Sequence, residues 1–250
     1  MFGQNFLTDK RIAKEIVKAS NLKSTDIVLE IGPGEGALTK EIFKFTKNII
    51  AVEKDKRLIK NLEEKFPEIK IVNEDILKFE ELPKKYKIIA NLPFYATSPI
   101  IRKFLNPPAG GRSPQEMVLI IQKEVAQRIT AKPPKMSILA ISVQLYAKAR
   151  ILSYISKKSF KPQPNVDAAI IKLTLRDRPG LSPKENDHFF KIVKAGFSAP
   201  RKQLINNLSK GLKIEKELIQ RYLKQSKIDP ERRAETLDVK DWKKLASVID

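Results

Sequence analysis

Residues 30–36, with the sequence EIGPGEG, constrain the fold more than any other part of the chain. They follow a short apolar run at residues 27–31 and precede a helical pattern at residues 37–45. Glycines at alternate positions let a backbone turn tightly and approach a ligand without interference from a Cβ atom. A strand, a glycine-rich turn and a helix in this order predict an α/β fold with a ligand site at the turn.

Strand-like and helix-like segments alternate through most of the chain, which is typical of helices packed on both faces of a mostly parallel sheet. The apolar runs predict strands at residues 27–31, 49–52, 69–72, 87–90, 117–121, 151–155 and 168–175. Helical periodicity predicts helices after Asp9 and at residues 37–45, 56–66, 123–130 and 138–147. No helical pattern separates the last two strands, so part of the sheet is expected to be antiparallel.

A change of pattern near residue 178 predicts two domains. Residues 176–183 (RDRPGLSP) are typical of a linker. Beyond them the chain has no strand candidate, and the helical patterns lie at residues 188–197, 202–208 and 215–225. We therefore expect a larger α/β domain at residues 1–178 and a small helical domain at residues 179–250.

The charge and the rare residue types narrow the classes of function. The chain has 49 Lys and Arg against 29 Asp and Glu, and its net charge of +20 favours a polyanionic partner such as nucleic acid. The alternative is a lysine-rich chain whose basic surfaces face solvent and bind no polyanion. The absence of cysteine excludes disulfides, thiolate metal sites and a cysteine nucleophile. The single histidine, His188, cannot form a histidine metal site, and we expect it at the surface or in packing.

The N-terminal residues lack the apolar core of a signal peptide. No apolar run approaches the roughly 20 residues that a membrane helix needs. We therefore expect a cytoplasmic protein with no membrane segment.

Acidic residues at two strand ends predict an adenosine site. Glu53 ends the second expected strand, where a carboxylate in an α/β fold can accept hydrogen bonds from ribose hydroxyls. Asp75 ends the third strand and could accept from an adenine amino group, with Ile76 packed on the ring. The glycine spacing, G-x-G-x-G, differs from that of dinucleotide-binding folds and disfavours a nicotinamide-dependent oxidoreductase. The alternative for either acid is a helix N-cap or a solvated strand end.

The sequence Asn91-Leu92-Pro93-Phe94 after the fourth expected strand is the candidate catalytic motif. An exocyclic adenine nitrogen is a poor nucleophile because its lone pair is delocalised into the ring. An asparagine oxygen and a backbone carbonyl that accept hydrogen bonds from this amine would favour a more tetrahedral nitrogen. Phe94 offers an aromatic face to an unstacked base. The alternative is a strand-ending turn with a packed phenylalanine.

Six motifs in one order resemble the ribosomal RNA adenine dimethylase family, which includes small-subunit dimethyladenosine transferases and the Erm resistance enzymes. The resemblance covers essentially the whole chain. The motifs are GQNFL with Asp9, EIGPGEGALT at residues 30–39, Glu53, Asp75 with NLPF at residues 91–94, FKPQPNVD at residues 160–167 and FSAPRKQLINNL at residues 197–208.

The resemblance implies a Rossmann-like S-adenosylmethionine-dependent methyltransferase sheet and a role for each matched residue. The implied cofactor-binding residues are Gln4, Asn5, Leu7, Glu30, Gly32, Gly34, Gly36, Glu53, Lys54, Asp75, Ile76 and Asn91. The implied catalytic residues, which hold or flank the target adenine, are Asn91, Leu92, Phe94 and Phe160. Arg201 and Lys202 would bind RNA phosphates. The implied cofactor is S-adenosylmethionine, which leaves as S-adenosylhomocysteine, and no metal is expected.

The implied reaction is two successive methylations of adenine N6 in ribosomal RNA. The small-subunit members of the family modify two adjacent adenines near the 3′ end of 16S RNA, so the expected partner is an immature small subunit, met by a monomeric enzyme. One alternative is an Erm-type methylase of 23S RNA. Another is a non-catalytic assembly or transcription factor that binds RNA or DNA, although such a protein need not keep Asn91 and the cofactor residues.

Overall fold

The computed structural model describes residues 5–106, 111–176 and 181–249. The chain divides into two compact units, Met1–Gln127 with Ala147–Arg176 and Arg128–Tyr146 with Asp177–Asp250. Residues 128–146 group with the C-terminal helices in this division, whereas the expected boundary near residue 178 placed them with the α/β domain. Two hydrogen bonds explain the grouping: the Met136 amide donates to the Glu235 carbonyl at 2.9 Å, and the Tyr146 hydroxyl donates to Asn186.

The first unit is built on a mixed sheet. Its strands are β1 (Phe6–Leu7), β2 (Val28–Ile31), β3 (Ile49–Glu53), β4 (Lys70–Asn73), β5 (Lys87–Asn91), β6 (Glu116–Gln122), β7 (Ala147–Ile155), β8 (Phe160–Lys161) and β9 (Ala168–Leu175). Seven of them form one sheet in the order β4-β3-β2-β5-β6-β9-β7. Strands β2 to β6 pair in parallel, whereas β9 is antiparallel to both of its neighbours, so the predicted mixed sheet is confirmed.

Helices precede, separate or follow the parallel strands. They are α1 (Lys10–Ala19), α2 (Ala37–Ile42), α3 (Lys56–Lys65), α4 (Thr97–Leu105) and α5 (Lys123–Ile129), the last of which contains the division between the units. The Asp9 and Asp55 side chains cap α1 and α3 by accepting from the amide two residues ahead. Helix α4 was not expected, because it has no side-chain N-cap and follows directly on a 3₁₀ turn at Phe94–Ala96.

Both faces of the central strands are buried. Leu29 and the adjacent Glu30 in β2 are each 0% exposed although they point to opposite faces. One core cluster packs Ile16 of α1 and Ile42 of α2 against alternate residues of the sheet, such as Val28. Burial on both faces explains why the strands appear in the sequence as continuous apolar runs.

A second, two-stranded ladder joins distant parts of the first unit. Strands β1 and β8 pair antiparallel, with Phe6 opposite Lys161 and Leu7 opposite Phe160. The amide and the hydroxyl of Thr8 both donate to the Ser159 carbonyl at 2.9 Å. This ladder was not expected, because two residues are too short to show a strand period. It brings the N-terminal motif to the motif at residues 160–167.

The second unit is helical. Its helices are α6 (Ile138–Gln144), α7 (Pro183–Gly196), α8 (Leu204–Leu212), α9 (Lys216–Gln225) and α10 (Val239–Ala246). Trp242 is 0% exposed and stacks on Phe197 with 5.7 Å between ring centroids. Helix α7 begins five residues before the expected start at 188, because Ser182 and Glu185 form a capping box. Nε2 of His188 lies 2.8 Å from the Ile249 carbonyl oxygen. Within the described residues, no helix is long and apolar enough to cross a membrane.

Candidate active site

The strand order of the first unit reverses between β2 and β5, and a cleft lies beyond the carboxyl ends of these strands. In open α/β sheets a ligand site forms at such a reversal, where the loops of neighbouring strands diverge. The cleft has a volume of about 230 Å³. Its walls consist of Asn5, Phe6, Ile31, Gly32, Gly34, Val52, Glu53, Lys54, Glu74, Asp75, Ile76, Leu77, Asn91, Leu92, Pro93, Phe94, Tyr95, Ala96, Pro99 and Ile100.

The three glycines of the EIGPGEG turn have different roles. All three have a positive φ, of 65° at Gly32, 59° at Gly34 and 87° at Gly36, a conformation that favours glycine. A Cβ atom at Gly34 would lie 2.9 Å from the Phe6 ring, and one at Gly36 would lie 2.7 Å from the Phe66 ring. A Cβ atom at Gly32 would meet nothing within 4 Å, since this residue faces the open cleft. Gly32 therefore leaves room for a ligand, while the other two allow close packing of the turn.

Glu53 connects the glycine turn to the end of β3. One carboxylate oxygen accepts from the Gly34 amide at 3.1 Å and the other accepts from the Asp55 amide at 2.9 Å. The side chain lines the cleft although the residue is only 2% exposed. Two backbone donors thus fix the direction of the carboxylate. An ionised carboxylate has about four acceptor positions, so these two bonds are compatible with accepting from ligand hydroxyls.

Lys54 and Asp75 form an ion pair at the cleft wall, with 2.8 Å between Nζ and Oδ2. The other oxygen of Asp75 accepts from the Leu77 amide at 3.0 Å. The Lys54 ammonium, aided by this amide, holds the pKa of Asp75 below its usual range. The carboxylate is therefore ionised at neutral pH and acts purely as an acceptor.

Asn91, at the end of β5, is oriented by the N-terminal segment. Its Nδ2 donates to the Asn5 carbonyl oxygen at 2.9 Å. The amide nitrogen is thus the donor in this contact, so Oδ1 is the acceptor that the side chain offers to the cleft. The next residue, Leu92, has a buried side chain and donates its amide to Ile120 at 3.1 Å. A leucine side chain has no polar atom and this amide is bonded to Ile120, so the carbonyl of Leu92 is the polar group that could serve the cleft.

Two aromatic residues follow in the same 3₁₀ turn. The Pro93 carbonyl accepts from the Ala96 amide at 3.0 Å and from the Thr97 hydroxyl at 3.2 Å, which fixes this turn. Phe94 lines the cleft and packs partly against the core cluster. Tyr95 also lines it and is 66% exposed. The sequence-based prediction did not include Tyr95, although an aromatic residue directly after Phe94 was a usable signal.

Several predicted site residues lie away from the cleft wall. Leu7 and Phe160 are 8% and 4% exposed and belong to the core cluster, where β1 and β8 place them opposite each other. Gly36 is the N-cap residue of α2. Glu30 is fully buried behind the turn. Gln4 lies outside the described residues.

Glu30 is a buried carboxyl group without a hydrogen-bond partner among the described residues. Burial raises the pKa of Glu30 to about 8. The nearby charge of Glu53 adds to the rise, while the polar groups of Thr39 oppose it without meeting hydrogen-bond geometry. The group is therefore mostly protonated at neutral pH.

Arg201 and Lys202 lie in the second unit, in the turn between α7 and α8, and both are exposed. Asn207, 4% exposed, supports this turn from within. Its Nδ2 donates to the Gly196 carbonyl at 2.7 Å and to the Ala199 carbonyl at 2.9 Å. The two basic side chains therefore project from a backbone that is fixed by a buried amide.

The cleft resembles a nucleoside pocket with an amine acceptor at one end. Glu53 and Asp75 offer carboxylates at successive strand ends, and Asn91 offers an amide oxygen beside them. Among the described residues, no group of three or more His, Asp or Glu side chains could hold a metal ion.

Comparisons with known proteins show which proteins this chain resembles. A family model described as "Ribosomal RNA adenine dimethylase" matches residues 1–250. A "Ribosomal RNA small subunit methyltransferase A" from Dehalococcoides mccartyi (strain CBDB1) is 42% identical, covering 97% of this chain and 85% of the relative. The protein of the same description from Alkaliphilus oremlandii is 41% identical and covers 98% of this chain and 89% of its own.

Two solved structures are similar along nearly the whole chain. A dimethyladenosine transferase from Plasmodium falciparum has a TM-score of 0.81 and 27% identity, covering 96% of this chain and 95% of its own. The 23S rRNA methyltransferase ErmE has a TM-score of 0.79 and 26% identity, covering 97% of this chain and 98% of its own. The resemblance and the methyltransferase fold predicted from the motifs are confirmed. The chain belongs to the ribosomal RNA adenine dimethylase family, and it is a methyltransferase.

Proposed function

We propose that this protein transfers methyl groups from S-adenosylmethionine to N6 of adenines in ribosomal RNA. Its target is a pair of adjacent adenines near the 3′ end of 16S RNA in an immature small subunit, which it meets in the cytoplasm as a monomer. The contact between Asn91 and Asn5 carries this proposal, because it presents an amide oxygen to the cleft at the end of β5.

The residues around the cleft fit the proposed cofactor. Gly32 leaves open space where a Cβ atom would otherwise stand, so a ligand can lie against the backbone of the turn. Glu53 is suited to the ribose hydroxyls because its carboxylate is held at the wall by two amides. Asp75 is suited to the adenine amino group, with Ile76 beside it to pack on the ring. Lys54 keeps Asp75 ionised and in place.

The chemistry needs positioning more than a strong base. When bound, S-adenosylmethionine supplies an electrophilic methyl group on a sulfonium centre and leaves as S-adenosylhomocysteine. Oδ1 of Asn91 accepts one N–H of the target amine, and a backbone carbonyl of the Asn91-Leu92 segment accepts the other. These acceptors draw the nitrogen towards a tetrahedral geometry and direct its lone pair at the methyl group. As the new N–C bond forms, the nitrogen loses a proton to solvent.

The aromatic side chain of Phe94 stacks on the target base at the cleft. An extruded base loses its stacking in the RNA, and an aromatic contact offsets about 1–3 kcal/mol of that loss. Phe160 contributes indirectly. It is buried opposite Leu7, where it stabilises the β1–β8 ladder that begins directly after Asn5.

The choice of RNA follows from the relatives and from the basic surface. The relatives at 42% and 41% identity are both described as small-subunit methyltransferases. Arg201 and Lys202 are exposed on a supported turn, where they can contact RNA phosphates. The net charge of +20 strengthens attraction to such a polyanion.

The replacement Asn91→Ala tests the proposed catalytic role. It removes the amine acceptor, so methyl transfer to small-subunit RNA should fall by roughly 100-fold or more. The affinity for S-adenosylmethionine, measured by calorimetry, should change far less because Glu53 and Asp75 remain. Asn48→Ala is the control, since Asn48 is an exposed asparagine that precedes the amino end of β3. Near-normal turnover of Asn91→Ala would contradict the role of Asn91.

A further inference from the structure

Tyr95 lies where the cleft meets a second, wider groove. This side groove has a volume of about 1090 Å³. Its walls consist of Asn5, Phe6, Glu35, Asp55, Arg57, Leu58, Phe94, Tyr95, Gln122, Pro162, Gln163, Pro164, Asn165 and Val166. Asn5, Phe6, Phe94 and Tyr95 line both spaces, so the side groove is continuous with the candidate active site.

The walls of the side groove suit a nucleobase better than a phosphate. Besides Asn5, three neutral amide side chains line the side groove, and Gln122, Gln163 and Asn165 offer both donors and acceptors. The described lining contains one basic residue, Arg57, whose guanidinium is bound to Asp55 at 2.5 Å. This contact lowers the pKa of Asp55 to about 2, so the pair stays ionised at neutral pH. Unstacked bases in RNA are recognised through hydrogen bonds to their edges and by stacking on aromatic rings.

The wall that carries the amides is anchored to the sheet. The Lys157 amide donates to Oδ1 of Asp167 at 3.1 Å, and the Lys123 amide donates to the Asp167 carbonyl at 3.0 Å. The pairing of β1 with β8 fixes the other end of the segment. Residues 162–166 therefore form a wall of the groove that also contains Tyr95, and both ends of this segment are fixed by hydrogen bonds.

Exposure alone would not distinguish Tyr95 from an ordinary surface aromatic residue. Tyr154 is also exposed, at 56%, but it lines neither space, and the ammonium of Lys123 lies over its ring, 5.5 Å from the centroid. Tyr95 differs because it follows Phe94 in one 3₁₀ turn and reaches both spaces. Two consecutive aromatic side chains can thus contact two consecutive bases of one strand.

We propose that the side groove binds the nucleotide next to the acceptor adenosine, with its unpaired base stacked on Tyr95 and its edge facing the amides. This inference rests on the proposed function, since it assumes an RNA acceptor in the cleft. It makes Tyr95 a determinant of substrate binding rather than of the chemical step.

The test compares Tyr95→Ala, Tyr95→Phe and the control Tyr154→Ala in methyl transfer to an RNA fragment with two adjacent adenines. A second fragment has an abasic residue in place of the neighbouring adenosine. Tyr95→Ala should raise KM for the intact fragment by roughly 10-fold, as expected for the loss of one stacked base, and leave kcat nearly unchanged. Tyr95→Phe keeps the ring and should behave like the unaltered protein, as should Tyr154→Ala.

For the unaltered protein, KM for the abasic fragment should exceed KM for the intact fragment by a similar factor. For Tyr95→Ala, the two fragments should have nearly the same KM. If the increase in KM from Tyr95→Ala and the increase from the abasic fragment multiplied when the two were combined, the two changes would act independently and the proposed stacking would be overturned. An unchanged KM would also overturn it, as would a loss of S-adenosylmethionine affinity in Tyr95→Ala that accounts for the defect. If the unaltered protein methylates no RNA adenine at all, the proposed function fails instead, and the two failures are thereby distinguished.

Discussion

Replacing Glu30 with glutamine should change the way in which the stability of the protein depends on pH. Glu30 is buried without a hydrogen-bond partner among the described residues, and burial raises its pKa to about 8. Glutamine has nearly the same size and shape but carries no charge at any pH. The substitution therefore isolates the cost of ionising this one group.

The size of the effect follows from proton linkage. The ordinary pKa of this carboxyl is 4.5 and its folded value is about 8, so between these values the folded protein keeps a proton that the unfolded chain releases. The stability that this proton provides is fully present below 4.5 and is lost as the pH rises through 8. One group changes the free energy of unfolding by about 1.4 kcal/mol per pH unit, or about 4 kcal/mol between about pH 5 and pH 8.

The assay is urea unfolding of the cofactor-free protein and of Glu30→Gln at several pH values. At about pH 4 the two proteins should unfold with similar free energies, because Glu30 is then neutral in the folded protein and mostly neutral in the unfolded chain. As the pH rises, Glu30→Gln should become the more stable protein, and the difference should level off above the folded pKa. The difference between the two proteins cancels the titration of other groups. A difference that does not vary with pH would refute the assignment of a raised pKa to Glu30.

Three other predictions concern the core, the cofactor and RNA. An added Cβ at Gly196 would overlap the Trp242 ring, so Gly196→Ala should destabilise the second unit by roughly 1–3 kcal/mol in thermal unfolding; an unchanged melting temperature would contradict this packing. Asp75→Asn should weaken S-adenosylmethionine binding in calorimetry by roughly 10-fold. An affinity equal to that of the unaltered protein would mean that the adenine of the cofactor does not contact Asp75. Charge reversal at Arg201 and Lys202 should weaken RNA binding and reduce its salt dependence, and an unchanged salt titration would move RNA contact to another surface.

The strands of the main sheet could be predicted because strands buried on both faces appear in the sequence as continuous apolar runs. Every expected strand corresponds to a strand of the sheet, within a few residues at its ends. Glu53 and Asn91 both line the cleft, because the carboxyl ends of parallel strands meet at one edge. Helix starts were less certain, as α7 shows, because its capping box precedes the apolar pattern.

Long-range contacts of short segments could not be predicted. The contact between Asn5 and Asn91 joins residues 86 positions apart, and no local pattern specifies it. The β1–β8 ladder, with Leu7 opposite Phe160, has the same origin. Burial of Phe160 was missed because a motif identifies the residue type and not the direction of its side chain. The position of Tyr95 directly after Phe94 was a usable sequence signal, but only the structure shows that its side chain lines two neighbouring spaces.

The proposed activity of the cleft is methyl transfer to adenines of small-subunit RNA. The most direct measurement offers labelled S-adenosylmethionine together with immature small subunits, 23S RNA or generic RNA, and then digests each product to nucleosides. We expect labelled dimethyladenosine in the small-subunit RNA alone, and we expect it to be lost with Asn91→Ala. Label in 23S RNA alone would contradict the proposed target and favour an Erm-type enzyme. Tight RNA binding without any transfer would contradict the catalytic account itself.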